Sequence, residues 1–243
     1  MLGFFKRNKK TDYSYADMSF HNKKIPFVVV ESYKAIRTNL SFLLSNKDSN
    51  VVVVTSPNEG EGKSTTAVNM AIAFSQLGEK VLLIDADMRR SSLHKKLKTE
   101  NTDGLSNILA GMSTFKECVN QVAENLYLLS SGRIPPNPSE LLGSPAFEEL
   151  MKSVSPEYNC IIIDTPPMNV VSDTLIAARI AAGIVLVVRD GQTQNDEIKQ
   201  AISSAKFANI KILGAIINGN KQSNAIGYKS GSKYYKNRYY TRT

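Results

Sequence analysis

The stretch that decides the fold of this chain is Val51-Val-Val-Val-Thr-Ser-Pro-Asn-Glu-Gly-Glu-Gly-Lys-Ser-Thr-Thr66. Four consecutive valines predict a buried strand, and a turn with two glycines follows it before an apolar helix begins. Small residues in such a turn let backbone N–H groups surround phosphate oxygens, and the helix N-terminus adds partial positive charge. The first glycine usual in this pattern is replaced by Pro57, but the strand before the turn and the helix after it indicate a phosphate-binding loop.

Six residues of this loop are candidate ligands of a nucleotide. Lys63 is placed to reach the β- and γ-phosphates, and the hydroxyl of Ser64 is placed to ligate Mg²⁺. The predicted nucleotide-binding residues are Gly60, Glu61, Gly62, Lys63, Ser64 and Thr65.

Two further apolar runs end in aspartate. Asp85 follows four apolar residues, with Asp87 two positions later, and Asp164 follows another such run. In a doubly wound sheet the carboxyl ends of the strands meet beside the nucleotide loop, so these carboxylates should converge there. They are our candidates for metal binding and acid–base chemistry, and Asp164 has the position of the Walker B carboxylate that holds Mg²⁺ through water. The alternative is that each aspartate caps a turn or a helix.

Short apolar runs alternate with helical stretches through the middle of the chain. This pattern predicts an α/β P-loop NTPase fold with a doubly wound, mostly parallel sheet. Strands are predicted at 51–55, 81–85, 126–129, 160–164, 184–188 and 212–217. Helices are predicted at 64–77, 140–153, 173–181 and 195–208, with shorter ones near 91–97 and 105–111.

The net charge of +8 comes from the two ends of the chain. Residues 1–24 hold six basic residues and two acids, and residues 220–243 hold six basic residues and no acid, so the part between them is slightly acidic. A nucleic-acid groove would place basic residues in the folded body, so no specific nucleic-acid partner is expected. Basic ends are typical of segments near an anionic surface, such as the inner membrane leaflet, or of solubility tails.

No apolar run approaches the ~20 residues that cross a bilayer, and no secretory signal follows Met1. Two cysteines cannot form a disulfide framework, so a cytoplasmic location is expected. We divide the chain into a basic N-terminal segment (1–30), a P-loop domain (31–219) and a tail (220–243).

A charged face stands on the predicted helix at 31–45. Glu31, Lys34 and Arg37 are spaced three residues apart and share one face, separate from the apolar stripe that contains Ile36 and Leu40. Because this charged face has no apolar residues, we do not expect it in the core.

Five of the ten tyrosines lie in the last 16 residues, among Lys, Ser, Asn and Gly. A segment with so few aliphatic residues cannot bury a core, so a flexible tail is predicted. Such tyrosines suit phosphate acceptors, although an aromatic, cationic nucleic-acid-binding segment or a sticky low-complexity end has the same composition. The candidate acceptors are Tyr228, Tyr234, Tyr235, Tyr239 and Tyr240.

Taken together, these motifs resemble the bacterial tyrosine kinases of capsular and exopolysaccharide operons. The loop at 55–66, the apolar-Asp-x-Asp-x-Arg stretch at 81–89 and Ile-Asp-Thr-Pro-Pro at 163–167 are similar to that family's Walker A, A′ and B motifs. The proline-rich stretch at 132–142, the charged helix and the tyrosine-rich end extend the resemblance over nearly the whole chain. It implies an ATP-dependent protein-tyrosine kinase that phosphorylates its own tail in trans and regulates polysaccharide synthesis and export.

The resemblance also implies roles for individual residues. Lys63 would stabilise the transferring charge, and Asp87 would accept the phenol proton. Ser64, with Asp85 and Asp164, would organise Mg²⁺, so ATP and Mg²⁺ are the expected cofactors.

The partners are likewise implied by the resemblance. Glu31, Lys34 and Arg37 would dock on a neighbouring subunit to build a ring, with Lys34 standing where the family has arginine. A transmembrane chain-length regulator would activate the kinase through its cytosolic tail and hold it at the inner face of the membrane, and a tyrosine phosphatase would reset the tail.

Two other functions fit parts of the sequence. Partitioning and positioning ATPases of the deviant Walker type share the sheet and the aspartates, but they carry a lysine where this chain has Asn58. A nucleotide-gated adaptor of the export machinery, phosphorylated by another kinase, is the second alternative.

Overall fold

The computed structural model describes residues 25–45 and 49–219. These residues contain a seven-stranded sheet with helices packed on both of its faces. The strands are β1 (Val51–Thr55), β2 (Val81–Asp85), β3 (Val119–Ala123), β4 (Leu126–Leu129), β5 (Cys160–Asp164), β6 (Gly183–Arg189) and β7 (Ile212–Asn218). The basic residues 1–24 and the tail with its five candidate tyrosines lie outside the described residues.

The helices complete the crossovers between parallel strands. They are α1 (Phe27–Leu44), α2 (Lys63–Ser75), α3 (Leu93–Leu97), α4 (Leu105–Leu109), α5 (Phe115–Cys118), α6 (Pro138–Leu142), α7 (Pro145–Val154), α8 (Asp173–Ala177) and α9 (Asn195–Phe207). Within the described residues, none of them is long and apolar enough to span a bilayer.

The strand order is β3-β4-β2-β5-β1-β6-β7, and every neighbouring pair is parallel except β3 with β4. The central strands β1, β2 and β5 are buried along their whole length. This follows from helices on both faces of the sheet, which explains why the strands are continuous apolar runs. The predicted doubly wound, mostly parallel sheet is confirmed.

Alternating residues of β1 face two separate hydrophobic clusters. Val52 and Val54 pack in the cluster that contains Met70 and Phe74 of α2. The other valines of β1 pack in the cluster that contains Phe147 of α7. The nucleotide loop leaves β1 at its carboxyl end, so both faces of the sheet support its starting point.

Several elements differ from the prediction, among them the following three. The helix predicted at 140–153 is two helices, because Pro145 has no N–H to continue α6 and instead begins α7. Strand β3 was not predicted, since its polar Asn120 and Gln121 lie on an edge strand that only β4 pairs. Helix α1 begins at Phe27, four residues before the predicted start.

Candidate nucleotide and catalytic site

A cleft of about 680 Å³ opens at the carboxyl ends of the central strands. It is lined by the glycine loop and by the segments that follow β2, β5 and β6. This is where ligands of doubly wound sheets bind. A second cleft of about 400 Å³ lies at the amino ends of β6 and β7 and contains none of the predicted site residues.

The loop conformation depends on glycine at two positions. Gly60 has φ +78° and Gly62 has φ +95°, a region that other residues adopt only with strain. Gly62 precedes the first residue of α2, Lys63, so the first backbone N–H groups of this 13-residue helix lie at the cleft without intrahelical partners. Such groups bind anions, which gives the loop the chemistry that a phosphate requires.

Lys63 is surrounded by carboxylates. Its Nζ lies 2.8 Å from Asp87 Oδ2 and 3.9 Å from Asp164 Oδ1, and it donates to Ser64 Oγ at 3.2 Å. Burial lowers the pKa of Lys63, but the negative charges of Asp164, Asp87 and Asp85 outweigh that effect and raise the pKa above its ordinary value. Lys63 therefore stays protonated and supplies a permanent positive charge at the loop.

Asp164 is the carboxylate best suited to a metal ion. Both of its oxygens are buried, and neither accepts a hydrogen bond of normal geometry from any residue that the structure describes. Burial raises the pKa of Asp164 above its ordinary value, while the charge of Lys63 and the nearby Ser64 hydroxyl oppose the shift. A buried carboxylate without donors is stabilised by a cation, and Mg²⁺ prefers such oxygen ligands. The residues present therefore fit Mg²⁺.

The other ligands of such an ion need not come from the protein. Across residues 25–45 and 49–219, no three His, Cys, Asp or Glu side chains form a complete metal cage. Mg²⁺ at nucleotide sites is normally held by one or two carboxylates together with phosphates and water. Asp164 and Ser64 are thus sufficient candidates on the protein side.

Asp85 is already occupied by backbone donors. Its Oδ1 accepts from Asp87 N at 3.2 Å, and its Oδ2 accepts from Ser92 N at 3.1 Å and from Leu93 N at 3.0 Å. Burial and the charge of Asp164 raise its pKa, against the effect of the Leu93 and Ser92 N–H groups. Asp85 therefore joins the end of β2 to the start of α3, and its part in metal binding stays a prediction.

Asp87 lines the cleft beside Lys63. One oxygen pairs with Lys63, and the other accepts from the backbone N–H of Arg90 at 3.0 Å. These contacts place the carboxylate of Asp87 beside the loop. There it can pair either with Lys63 or with a bound substrate.

Arg89 links the stretch at 81–89 to the proline-rich stretch at 132–142 and to the start of α8. Its guanidinium donates to both oxygens of the buried Asp173, at 2.9 and 3.2 Å, and to Ser139 Oγ at 3.0 Å. Ser139 in turn donates to Asp173. Neither Asp173 nor Ser139 was predicted as a site residue, although Ser139 lies in the proline-rich stretch at 132–142.

The side chain of Glu61 points away from the cleft. It is 1% exposed and accepts from the backbone N–H of Asn58 at 3.0 Å and from Thr193 Oγ1 at 2.6 Å. Its backbone oxygen accepts from Asn218 Nδ2 at 2.9 Å. Only the backbone of Glu61 is thus available to bind phosphate, and the partners Thr193 and Asn218 were missed because they are distant in sequence.

The charged face of α1 is partly used within the chain. Lys34 pairs with Glu31 at 2.8 Å, and Arg37 Nη1 donates to the backbone oxygen of Ala73 in α2 at 2.9 Å. Arg37 therefore holds α1 against α2, and the predicted subunit interface stays a prediction.

Comparison with known proteins gives a consistent result. Residues 49–207 match a family described as an AAA domain. The tyrosine-protein kinase YwqD of Bacillus subtilis is 42% identical over 199 residues, which cover 82% of this chain and 84% of that protein. The tyrosine-protein kinase wzc of Salmonella typhimurium is 36% identical over 208 residues, 85% of this chain but only 29% of that longer protein.

The similar solved structures include a tyrosine kinase domain and a protein of a different kind. The kinase domain of the Escherichia coli tyrosine kinase ETK has a TM-score of 0.76 and 33% identity, covering 78% of this chain and 75% of that one. The septum site-determining protein MinD of Pyrococcus horikoshii has a TM-score of 0.60 and 22% identity, covering 76% of each chain. That second likeness shows a common fold alone.

Proposed function

The chain belongs to the family of bacterial tyrosine-protein kinases, and from this membership we propose that its cleft transfers the γ-phosphoryl group of ATP to tyrosines of its own C-terminal tail. The observation that carries the proposal is the cluster of Lys63, Asp87 and Asp164 at the glycine loop. One positive and two negative groups there match the needs of phosphoryl transfer, which depends on positioning and charge stabilisation.

The loop and Lys63 bind the phosphates. Backbone N–H groups from Gly62 to Thr65 receive the phosphate oxygens, and the ammonium of Lys63 moves from Asp87 to the β- and γ-phosphates. Ser64 and Asp164, with Asp85 in support, would hold Mg²⁺. When bound, this ion neutralises charge on the phosphates and orients the γ-phosphoryl group.

Asp87 receives the proton. Once the phosphates attract Lys63, the Asp87 oxygen that Lys63 occupied becomes free to accept the phenol proton of a tyrosine. The phenol oxygen then bonds to the γ-phosphorus, and the bond between that phosphorus and the β-phosphate oxygen breaks to leave ADP.

The acceptors are the tail tyrosines of another subunit. The 24 residues from 220 to 243 can span up to about 80 Å when extended, which exceeds the size of the domain. Strand β7, which leads into the tail, ends at the nucleotide loop. The face of Glu31, Lys34 and Arg37 assembles the subunits into a ring that brings each tail to a neighbouring cleft.

The family resemblance extends the proposal to the cellular role. The kinase acts in capsular or exopolysaccharide synthesis and export, at the inner face of the membrane. A transmembrane chain-length regulator activates it there, and a tyrosine phosphatase reverses the modification.

The test separates the enzyme from the acceptor. Full-length Lys63→Met protein serves as acceptor, and protein lacking residues 228–243 serves as enzyme with Mg-ATP. Phosphate at Tyr228, Tyr234, Tyr235, Tyr239 or Tyr240 of the acceptor, read by mass spectrometry, is the expected result. Label confined to Tyr33, Tyr127 or Tyr158 would rule out the tail as the acceptor. No label despite measured ATP binding would favour the adaptor or partitioning-ATPase alternatives.

A further inference from the structure

Asn218, the last residue of β7, contacts the nucleotide loop from behind. Its side-chain Nδ2 donates to the backbone oxygen of Glu61 at 2.9 Å, although the two residues are 157 positions apart. Asn218 is itself held in place, because its backbone oxygen accepts from Asp190 N at 2.9 Å. The amide is thus a fixed donor aimed at one peptide of the loop.

The geometry of that peptide determines what the contact does. A trans peptide is planar, and its C=O and N–H groups point in opposite directions. Because the carbonyl of Glu61 is tied to Asn218, the N–H of the next residue, Gly62, is directed to the other side. Gly62 lines the cleft, so this N–H is available to a phosphate.

The fit between Asn218 and the loop is close. A Cβ atom at Gly62 would lie 2.0 Å from Asn218 Nδ2, so a larger residue there would displace the Asn218 amide, and the φ of +95° also favours glycine. The side chain of Glu61 is anchored separately by Asn58 and Thr193. Glu61 is therefore held at two places. Asn58 and Thr193 hold its side chain, and Asn218 holds its carbonyl group.

We propose that Asn218 is a positioning residue of the nucleotide loop, which holds the Glu61 carbonyl so that the Gly62 N–H points at the phosphates of the nucleotide. Asn218 itself does not touch the phosphates. The inference rests on the nucleotide site proposed above. It assigns part of that site's affinity for the nucleotide to β7, which is distant from the loop in sequence.

Two full-length variants test the role of the donor. Asn218→Ala removes the amide, whereas Asn218→Asp keeps its shape but has no N–H to donate. Ile217→Ala, at the adjacent exposed position, is the matched control. Dissociation constants for ADP, ATP and inorganic tripolyphosphate are measured at a temperature well below the melting temperature of every variant, with steady-state kinetics on a synthetic tyrosine peptide.

Both Asn218 variants are expected to bind all three ligands about fivefold more weakly, since one net hydrogen bond contributes on the order of 1 kcal/mol. KM for ATP should rise by a similar factor with kcat changed less than twofold, because the lost contact supports ground state and transition state alike. Ile217→Ala should match the wild type.

Three results would overturn the inference alone. The first is unchanged affinity in Asn218→Ala, and the second is wild-type affinity in Asn218→Asp. The third is a loss of affinity for ATP and ADP with unchanged affinity for tripolyphosphate, because this result would mean that the amide contacts the base or ribose. Failure of the wild-type protein to bind any nucleotide would overturn both the proposed function and this inference.

Discussion

The three aspartates of the cleft differ in the partners that stabilise them. Asp85 accepts three backbone N–H groups, Asp87 pairs with Lys63, and Asp164 has no hydrogen-bond donor among the described residues. Burying a carboxylate that accepts no hydrogen bond is costly, and Lys63 offsets this cost at Asp164 only from 3.9 Å, so we expect a bound cation to stabilise Asp164 further. Asp85, in contrast, also stabilises the fold.

This difference predicts stability effects of different size for the two substitutions. Asp85→Ala should lower the free energy of unfolding by about 2–4 kcal/mol, because two buried N–H groups and one partly buried N–H group lose their acceptor. Asp164→Ala should change it by less than about 1 kcal/mol, since Lys63 keeps its partner Asp87, yet it should abolish Mg²⁺-dependent kinase activity. Urea unfolding without nucleotide, together with phosphotyrosine assays, measures both effects. Equal destabilisation by the two substitutions would show that Asp164 has structural donors after all.

At the level of elements, α1 connects the domain surface to the helix of the nucleotide loop. Val30 and Leu40 are buried against the cluster that contains α2, and Arg37 donates to Ala73 of α2. The opposite part of α1 exposes Phe42, whose side chain is 71% exposed. Contacts made by a neighbouring subunit with the charged face of α1 would therefore affect the position of α2, the helix that begins at Lys63.

Replacing Glu31, Lys34 and Arg37 together by Ala should shift the protein towards monomer and weaken autophosphorylation most at low protein concentration. The exposed pair Asp196 and Lys199 on α9, with the same spacing, provides the control: Asp196→Ala with Lys199→Ala should change neither property. Analytical ultracentrifugation measures the assembly. The ring would be ruled out if the triple variant and the wild type sediment as the same species.

For the whole molecule, the distribution of charge leads us to expect that phosphorylation of the tail affects the proposed assembly. The tail carries six basic residues and no acid, whereas the part of the chain between residues 25 and 219 is slightly acidic. Each phosphate adds about −1.5 to −2 charge at pH 7, so three or more phosphates cancel or reverse the charge of the tail.

Phosphorylated protein should consequently dissociate from the proposed ring, because a tail of reversed charge would no longer be attracted to an acidic neighbour. The measurement is the oligomer mass after incubation with Mg-ATP, compared with a variant in which all five tail tyrosines are Phe. The Phe variant should stay assembled under the same conditions. Persistence of the ring in fully phosphorylated wild type would contradict the coupling, and raising the salt concentration should weaken any effect that is present.

The sequence alone determined the features that are encoded locally. The run from Val51 to Thr66 specifies a strand, a turn and a helix through its own periodicity and its glycines, and the aspartates that end two other apolar runs are placed by the topology of parallel strands. These signals need no knowledge of distant partners, so the fold class and the location of the cleft could be predicted.

Only the tertiary structure decided which partners the polar side chains have. Arg89 binds Asp173 across 84 positions, and Asn218 binds Glu61 across 157. The edge strand β3 was likewise invisible, because its polar residues become a strand only by pairing with β4. A hydrogen bond between segments that are distant in sequence depends on how the helices and strands pack. Residue type and spacing in the sequence do not indicate which of these segments lie close together in the folded protein.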